Sequence, residues 1–314
     1  MTGAGTNLAT QTWPGVTPRL YRADGTPRPV GVLGFPVKHS LSPAFQNVAF
    51  AHHNLPHRYE KWEISPAEFA AFLEKARRED FLGLNLTVPH KLSGWEISVR
   101  RTPAADATGA VNTLFLDEEA GGWLGHNTDV GGFLETLPDA GYSPAGQSAV
   151  IIGAGGVARA IVYALGAGGA TTLTIANRTA NRAQAIVDTL QPLLPGTLLQ
   201  VSGLEPAEWP ADRSLIVNAT SQGVLEPDRP FPIPVPAMNG PANPPALFYD
   251  LTYGQTPFIR AVRAAGYPVL DGLLMLIYQG ALAFETWTGL AAPRSEMLAA
   301  AEAVLAERLK GKTS

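Results

Sequence analysis

The chain has 314 residues, 46% of them apolar and 16% charged, which suits a soluble globular fold and by length favours two domains over one. Its net charge of −4 gives no electrostatic reason to expect nucleic acid or an anionic membrane as a partner. It contains no cysteine, so disulfides, thiol chemistry and Cys-based zinc sites are excluded.

Residues 1–28 are rich in Thr, Gly and Pro and lack the basic start and apolar centre of a signal peptide, so a flexible extension is expected there. RPVGVLGF (28–35) is predicted to be a strand and SPAFQNVAFAHHN (42–54) a helix, with Ser42 as its cap and Pro43 in its first turn. HRYEKWEI (57–64) suggests a strand. SPAEFAAFLEKARRE (65–79) then suggests a helix opening on Pro66, with Ser65 and Glu68 at capping-box spacing. In FLGLNLTVPHKLSG (81–94) an apolar strand runs into a helix predicted to start at Pro89. Lys91 then sits in the first helical turn, where the macrodipole disfavours a cation, so it calls for a partner. AVNTLFL (110–116) and GGWLGHN (121–127) form a predicted hairpin, and DVGGFLETLPDAG (129–141) a linking helix.

A second alternating series follows: SAVIIGAGG, a helix to 168, TTLTIA, a helix from 180, LLQVS, SLIVNAT, ALFYDLT, a helix over 257–265, and PVL. The stretch EPDRPFPIPVPAMNGPANPP (226–245) holds too much proline for regular structure and is expected to be a loop. Two helical stretches, 272–289 and 293–310, close the chain. The run LLMLIYQGALAF is too short and interrupted to span a bilayer, and a cytoplasmic protein is expected.

The strongest local pattern is SAVIIGAGGVARAIVYALG (148–166), a strand, a glycine turn and an apolar helix. Gly153, Gly155 and Ala158 occupy the G-x-G-x-x-G/A positions, with Ala154, Gly156 and Val157 completing the turn. Gly153 permits the tight turn, Gly155 lets backbone N–H groups approach a pyrophosphate, and Ala158 allows helix and strand to pack closely. The pyrophosphate would rest on the helix N-terminus. TTLTIA ends about twenty residues on, where an NAD site carries an acid for the ribose hydroxyl. Here the residues are Asn177, Arg178 and Thr179, with Arg182 one turn later and able to clamp a phosphate from the same side as Arg178. The expected cofactor is therefore NADP(H).

In this order the motifs GFPVKHSLSP, NLTVPHK, AVNT, GHNTD, GAGGVARA, NRT, NATSQG, YDLTYGQTPF and DGLLMLIYQG resemble the shikimate dehydrogenase family from about residue 30 to 290. The resemblance implies two α/β domains separated by a cleft. A substrate-binding domain would span 29–128 and 272–314, and a Rossmann-type doubly wound NADP domain 129–271. It also implies reversible reduction of 3-dehydroshikimate to shikimate, on the route to aromatic amino acids. Lys91 and Asp129 would be the catalytic pair, with Lys91 either an acid–base group or an electrostatic anchor. Ser40 and Ser42, joined by Tyr253, would hold the substrate carboxylate; Asn85, Thr87, Asn112 and Gln279 would meet the ring hydroxyls. Thr220, Gly272 and Met275 would lie near the nicotinamide. Gly280 stands where alanine is more usual, which is expected to loosen its helix.

A quinate or dual quinate/shikimate dehydrogenase is the nearest alternative, set apart by the serine pair and the two arginines. A non-catalytic NADP-binding regulatory module would be favoured by loss of Lys91 or Asp129, and both are present. The expected partner is a small-molecule substrate, and the expected assembly a monomer or homodimer. No metal is expected at His52, His53 and His57, which turn residues Asn54 and Pro56 interrupt; His39, His90 and His126 each sit inside a motif.

Overall fold

The computed structural model describes residues 17–117, 119–220, 222, 229–240 and 245–310. The chain divides into two compact units, Met1–Gly132 with Ile277–Ser314, and Phe133–Leu276. Both divisions fall inside helices, α5 and α10 below, whereas the motifs had placed them at residues 128/129 and 271/272. Hydrophobic periodicity continues through a helix and does not mark where its contacts change.

The first unit contains β1 (Val30–Gly34), α1 (Ser42–His52), β2 (Tyr59–Glu63), α2 (Phe69–Arg78), β3 (Gly83–Leu86), α3 (Lys91–Ile97), β4 (Arg100–Arg101), α4 (Pro103–Thr108), β5 (Thr113–Asp117) and β6 (Gly122–His126). Its sheet runs β2-β1-β3-β5-β6-β4; β1 pairs in parallel with β2 and β3, and β5–β6 is the expected antiparallel hairpin. Phe69, Leu73, Ala76 and Phe81 join Leu84, Leu114 and Trp123 in its core. α5 (Thr128–Thr136) leads into the second unit.

The second unit holds β7 (Ser148–Ile152), α6 (Gly156–Ala167), β8 (Thr172–Ala176), α7 (Ala180–Leu190), β9 (Leu198–Ser202), β10 (Arg213–Asn218), α8 (Val235–Asn239), β11 (Leu247–Asp250), α9 (Pro257–Ala264) and β12 (Val269–Leu270). All of its strand pairs are parallel, in the order β12-β11-β10-β7-β8-β9. Numbered from β7, this is 6-5-4-1-2-3, the doubly wound dinucleotide-binding order, and it puts the topological switch between β7 and β10. α10 (Leu273–Thr288) carries the chain back to the first unit, where α11 (Arg294–Lys310) ends the described chain.

Several expectations are corrected. The expected flexible extension is ordered over its described part. Arg28 is buried, pairs with Asp80 at 2.9 Å, and donates to the carbonyls of Arg19 (2.7 Å) and Phe81 (2.8 Å). Residues 1–16 lie outside the described chain. Ser42 does not cap α1; it is the first helical residue, and the Ser40 hydroxyl accepts from its N–H at 3.2 Å. Only half of the capping box forms: Glu68 Oε2 accepts from the Ser65 hydroxyl (2.6 Å) and the Ser65 N–H (3.0 Å), and α2 starts only at Phe69, after a turn. α3 starts at Lys91 rather than Pro89, which leaves the lysine still in the first turn. The proline-rich stretch contains α8, with Pro236 in its first turn where a missing N–H goes unused. Residues 226–228 and 241–244 of that stretch lie outside the described chain.

Gly280 does not loosen α10, which is continuous. A Cβ there would stand 2.5 Å from the Phe45 ring, so glycine is what allows α1 and α10 to approach. The neighbouring Gln46 amide donates to the Gly280 carbonyl at 2.8 Å.

Candidate active site

Lys91 finds its partner in Asp129. Its ammonium donates to Asp129 Oδ2 at 2.7 Å, with 26% of the lysine side chain and 10% of the aspartate exposed. α3 is held in place by the preceding His90, which is buried, bonded to the Ile64 carbonyl at 2.7 Å and stacked on Phe69. His90 is thus a packing residue.

From this pair a polar chain runs through the first unit. Asn112 Nδ2 donates to Asp129 Oδ1 (2.9 Å) and to Gln279 Oε1 (3.3 Å). Asn112 Oδ1 accepts from the Thr128 N–H (2.8 Å) and from the Thr113 hydroxyl (3.0 Å), which ties the start of α5 to β5. Strand register sets Asn85 opposite Thr113, and the Asn85 amide donates to the Thr113 hydroxyl at 3.0 Å. Tyr59, buried in β2, donates to Asn85 Oδ1 at 2.6 Å and also meets the Ser42 hydroxyl. Burial pushes the Tyr59 phenol well above its usual range, so it stays a neutral donor. The Ser40 hydroxyl then donates to Ser42 at 3.1 Å. Ser40, Ser42, Asn85, Asn112, Asp129, Lys91 and Gln279 therefore belong to one network. Thr87 stands half-buried after β3, its hydroxyl without a partner among the described residues. Tyr59 and Thr113 were not singled out in the sequence, because their place follows from strand order.

His126 is buried beneath this network, with Nδ1 3.1 Å from the Thr102 hydroxyl. Burial pushes its pKa down to about 4, partly opposed by the Asp129 charge. The native state holds this imidazole neutral, while an unfolded chain protonates it below the ordinary histidine value of 6.5. Its contribution to stability is therefore present above pH 6.5 and lost as pH falls towards 4, on the order of 3 kcal/mol. Urea denaturation at pH 7.5 and 5 is expected to show about 2 kcal/mol of this loss, and His126→Asn to flatten it. The remaining histidines are bonded otherwise: His52 pairs with Glu296, His53 and His57 bond to the Ala291 and Leu20 carbonyls, and the His39 carbonyl accepts from Arg308 at 3.0 Å.

In the second unit, Gly153 follows β7 at φ +113°, a conformation that favours glycine. A Cβ on Gly155 or Gly156 would meet no protein atom within 4 Å. Packing within the chain therefore does not demand glycine at either position; an incoming group resting on the start of α6 would. Ala158 is fully buried behind them. A cavity of about 630 Å³ opens here, lined by Gly153, Ala154, Gly155, Asn177, Arg178, Arg182 and Thr220, with Leu204, Arg229, Phe231 and Ile233 on its other walls. Arg178 and Arg182 are exposed, and neither guanidinium makes a hydrogen bond or ion pair among the described residues. Glu208 lines only a neighbouring depression that shares Asn177 and Arg178. A turn open to an approaching backbone ligand, with two uncommitted guanidinium groups beyond it, fits a phosphorylated dinucleotide.

Thr220 is bonded through its hydroxyl to Asn218 Oδ1 at 2.7 Å. Gly272 passes so close to the Leu251 carbonyl that no side chain fits, and Met275 is buried. Tyr253, half-buried in the loop after β11, belongs to this unit, whereas Ser40 and Ser42 belong to the other. Asp250 ties these loops together, accepting from Thr256 (2.5 Å), Thr252 N (3.0 Å) and Asn218 (3.2 Å). Burial pushes its pKa up to about 6 against these bonds. The native state keeps this proton where an unfolded chain has lost it, so stability is highest at low pH and falls as pH rises from about 4 through 6. The part of that loss falling between pH 5 and 8, on the order of 1 kcal/mol, is expected to vanish in Asp250→Asn when urea midpoints are compared at those two pH values.

The doubly wound sheet with its glycine turn and arginine-lined cavity, together with a separate unit carrying a Lys–Asp pair, defines a two-domain dinucleotide-dependent oxidoreductase. Three family profiles match the chain: the shikimate dehydrogenase substrate binding domain over residues 32–114, shikimate / quinate 5-dehydrogenase over 140–201, and the shikimate 5'-dehydrogenase C-terminal domain over 272–302. A shikimate dehydrogenase (NADP(+)) of Moorella thermoacetica is 39% identical over 274 residues, 85% of this chain and 90% of that one. The chain belongs to the shikimate dehydrogenase family. Among solved structures, shikimate 5-dehydrogenase from Thermus thermophilus in complex with NADP(H) and shikimate is 37% identical, with a TM-score of 0.77 over 88% of this chain and 98% of that one. The ligand-free 5-ketofructose reductase of a Gluconobacter strain superimposes with a TM-score of 0.79 at 29% identity, over 88% of this chain and 98% of that one. Its name states another substrate, so the scaffold alone does not fix the substrate. No helix among the described residues is long and apolar enough to cross a membrane.

Proposed function

We propose that the chain is an NADP-dependent shikimate dehydrogenase, reversibly reducing 3-dehydroshikimate to shikimate in the cytoplasm as a step of aromatic amino-acid biosynthesis. The observation that carries this reading is the unbroken network from Ser40 to Lys91, which offers neutral donors and acceptors beside one ammonium–carboxylate pair.

Ser40 and Ser42 would receive the substrate carboxylate, with Tyr253 supplying a further hydroxyl. Thr87 offers an uncommitted hydroxyl to the ring. Asn85, Asn112 and Gln279 would each exchange one internal bond for a ring hydroxyl, a substitution that leaves no buried polar group unpaired. Gly153 to Ala158 would hold the pyrophosphate, and Asn177, Arg178, Thr179 and Arg182 the 2′-phosphate. Thr220, Gly272 and Met275 would border the nicotinamide. When bound, the cofactor supplies or accepts the hydride. As the carbonyl is reduced, Lys91 stabilises the negative charge growing on its oxygen and delivers the proton, while Asp129 fixes the ammonium at 2.7 Å. In the oxidative direction Lys91, as the neutral amine left after its proton has gone to solvent, takes the hydroxyl proton. The partly exposed lysine exchanges that proton with solvent.

The reading is tested by following absorbance at 340 nm with shikimate or quinate, each with NADP+ or NAD+. Shikimate with NADP+ is expected to dominate; turnover confined to quinate with NAD+ would overturn the substrate and cofactor assignments together.

A further inference from the structure

The wall of the dinucleotide cavity formed by Arg229, Phe231 and Ile233 belongs to the proline-rich stretch that the sequence marked as a loop. It is firmly anchored. Ile233 and Val235 are buried in the same core as Ile152 and Ala176, the last residues of β7 and β8. Phe231 meets the Phe258 ring edge-on at 4.9 Å. The Arg213 guanidinium, itself buried, donates to the carbonyls of Met238 (2.6 Å) and Ala237 (3.1 Å), fixing α8 behind the wall. Arg229 lies two residues before Phe231 on this anchored wall.

Arg178, Arg182 and Arg229 are the cations lining this cavity among the described residues. The first two follow β8, on one side of β7; Arg229 comes from the chain after β10, on the other side. In this sheet order a pyrophosphate lies over the end of β7, between those flanks. A helix N-terminus offers N–H groups and a partial charge but no full positive charge. A dinucleotide bridge carries about two negative charges, which a planar guanidinium matches well.

We propose that Arg229 is a third cofactor-binding arginine, directed at the pyrophosphate rather than the 2′-phosphate. Resting on the NADP reading above, it makes the proline-rich segment a functional wall of the cofactor site. The test is isothermal titration of wild type, Arg229→Ala and Arg229→Lys with NADP+, NAD+, ADP and 2′-AMP. Arg229→Ala is expected to weaken NADP+, NAD+ and ADP by about tenfold each while leaving 2′-AMP within about twofold, and lysine to restore part of the loss. Unchanged NADP+ and ADP affinity in Arg229→Ala would overturn the proposal. So would a loss confined to NADP+ and 2′-AMP, which would place Arg229 on the 2′-phosphate. Wild type that fails to bind NADP+ would instead bring down the cofactor reading itself, and this inference with it.

Discussion

Replacing Lys91 by alanine is expected to lower turnover about 10³-fold, the usual range for removing a positioned proton donor. The reason is geometric. Lys91 is the cation of the network, and Asp129 holds its ammonium at 2.7 Å from the first turn of α5. Without it, charge that develops on the substrate oxygen meets only neutral groups and Asp129, which repels it. Lys91→Met should lose as much, because it keeps the stem and removes the ammonium. NADP+ affinity, measured by titration, is expected to stay within about threefold in both variants, since the cavity lining contains only second-unit residues. Because Asp129 is only 10% exposed, removing its ammonium also destabilises the fold, so urea midpoints of both variants are compared with wild type and turnover is measured where each is folded. A variant that keeps a tenth or more of wild-type turnover would remove Lys91 from the chemistry.

The second large effect is expected from Arg178→Ala combined with Arg182→Ala: NADP+ affinity falls about 100-fold while NAD+ changes less than about twofold. Both guanidinium groups are exposed and uncommitted among the described residues, so removing them breaks no internal bond. Only the 2′-phosphate distinguishes the two coenzymes, and only these residues after β8 are assigned to it. Because the site is open to solvent, the wild-type preference should shrink as salt rises. Equal losses for both coenzymes would show that the arginines act on the shared part of the molecule.

The sequence showed most clearly what local pattern controls. The β7–glycine turn–α6 unit follows from an apolar run, Gly153 and a helical period, all within twenty residues. Helix starts were harder to place. At α1 the choice between Ser40 and Ser42 depends on which hydroxyl faces the free N–H, and at α3 a turn separates Pro89 from the first helical residue. The six-residue α4 carries its signals, with Thr102 capping, Pro103 first and Gly109 left-handed at its end, but it is too short to show a period. Lys91 was noticed because its charge conflicts with its place in a helix. Tyr59 and Thr113 gave no such conflict; their contacts span 26 and 28 residues and exist only once strand register sets Asn85 against Thr113. Arg229 stayed hidden for a similar reason: nothing local says that a proline-rich stretch turns back onto the glycine turn.

The most direct test of the Lys91–Asp129 assignment is a crystal structure of the chain with NADP+ and shikimate bound together. The expected result places Lys91 Nζ and an Asp129 oxygen within about 3 Å of substrate hydroxyls, with the pyrophosphate on the turn at Gly153 to Gly156. Side chains of these two residues directed away from the ring, or the coenzyme lodged elsewhere, would contradict it.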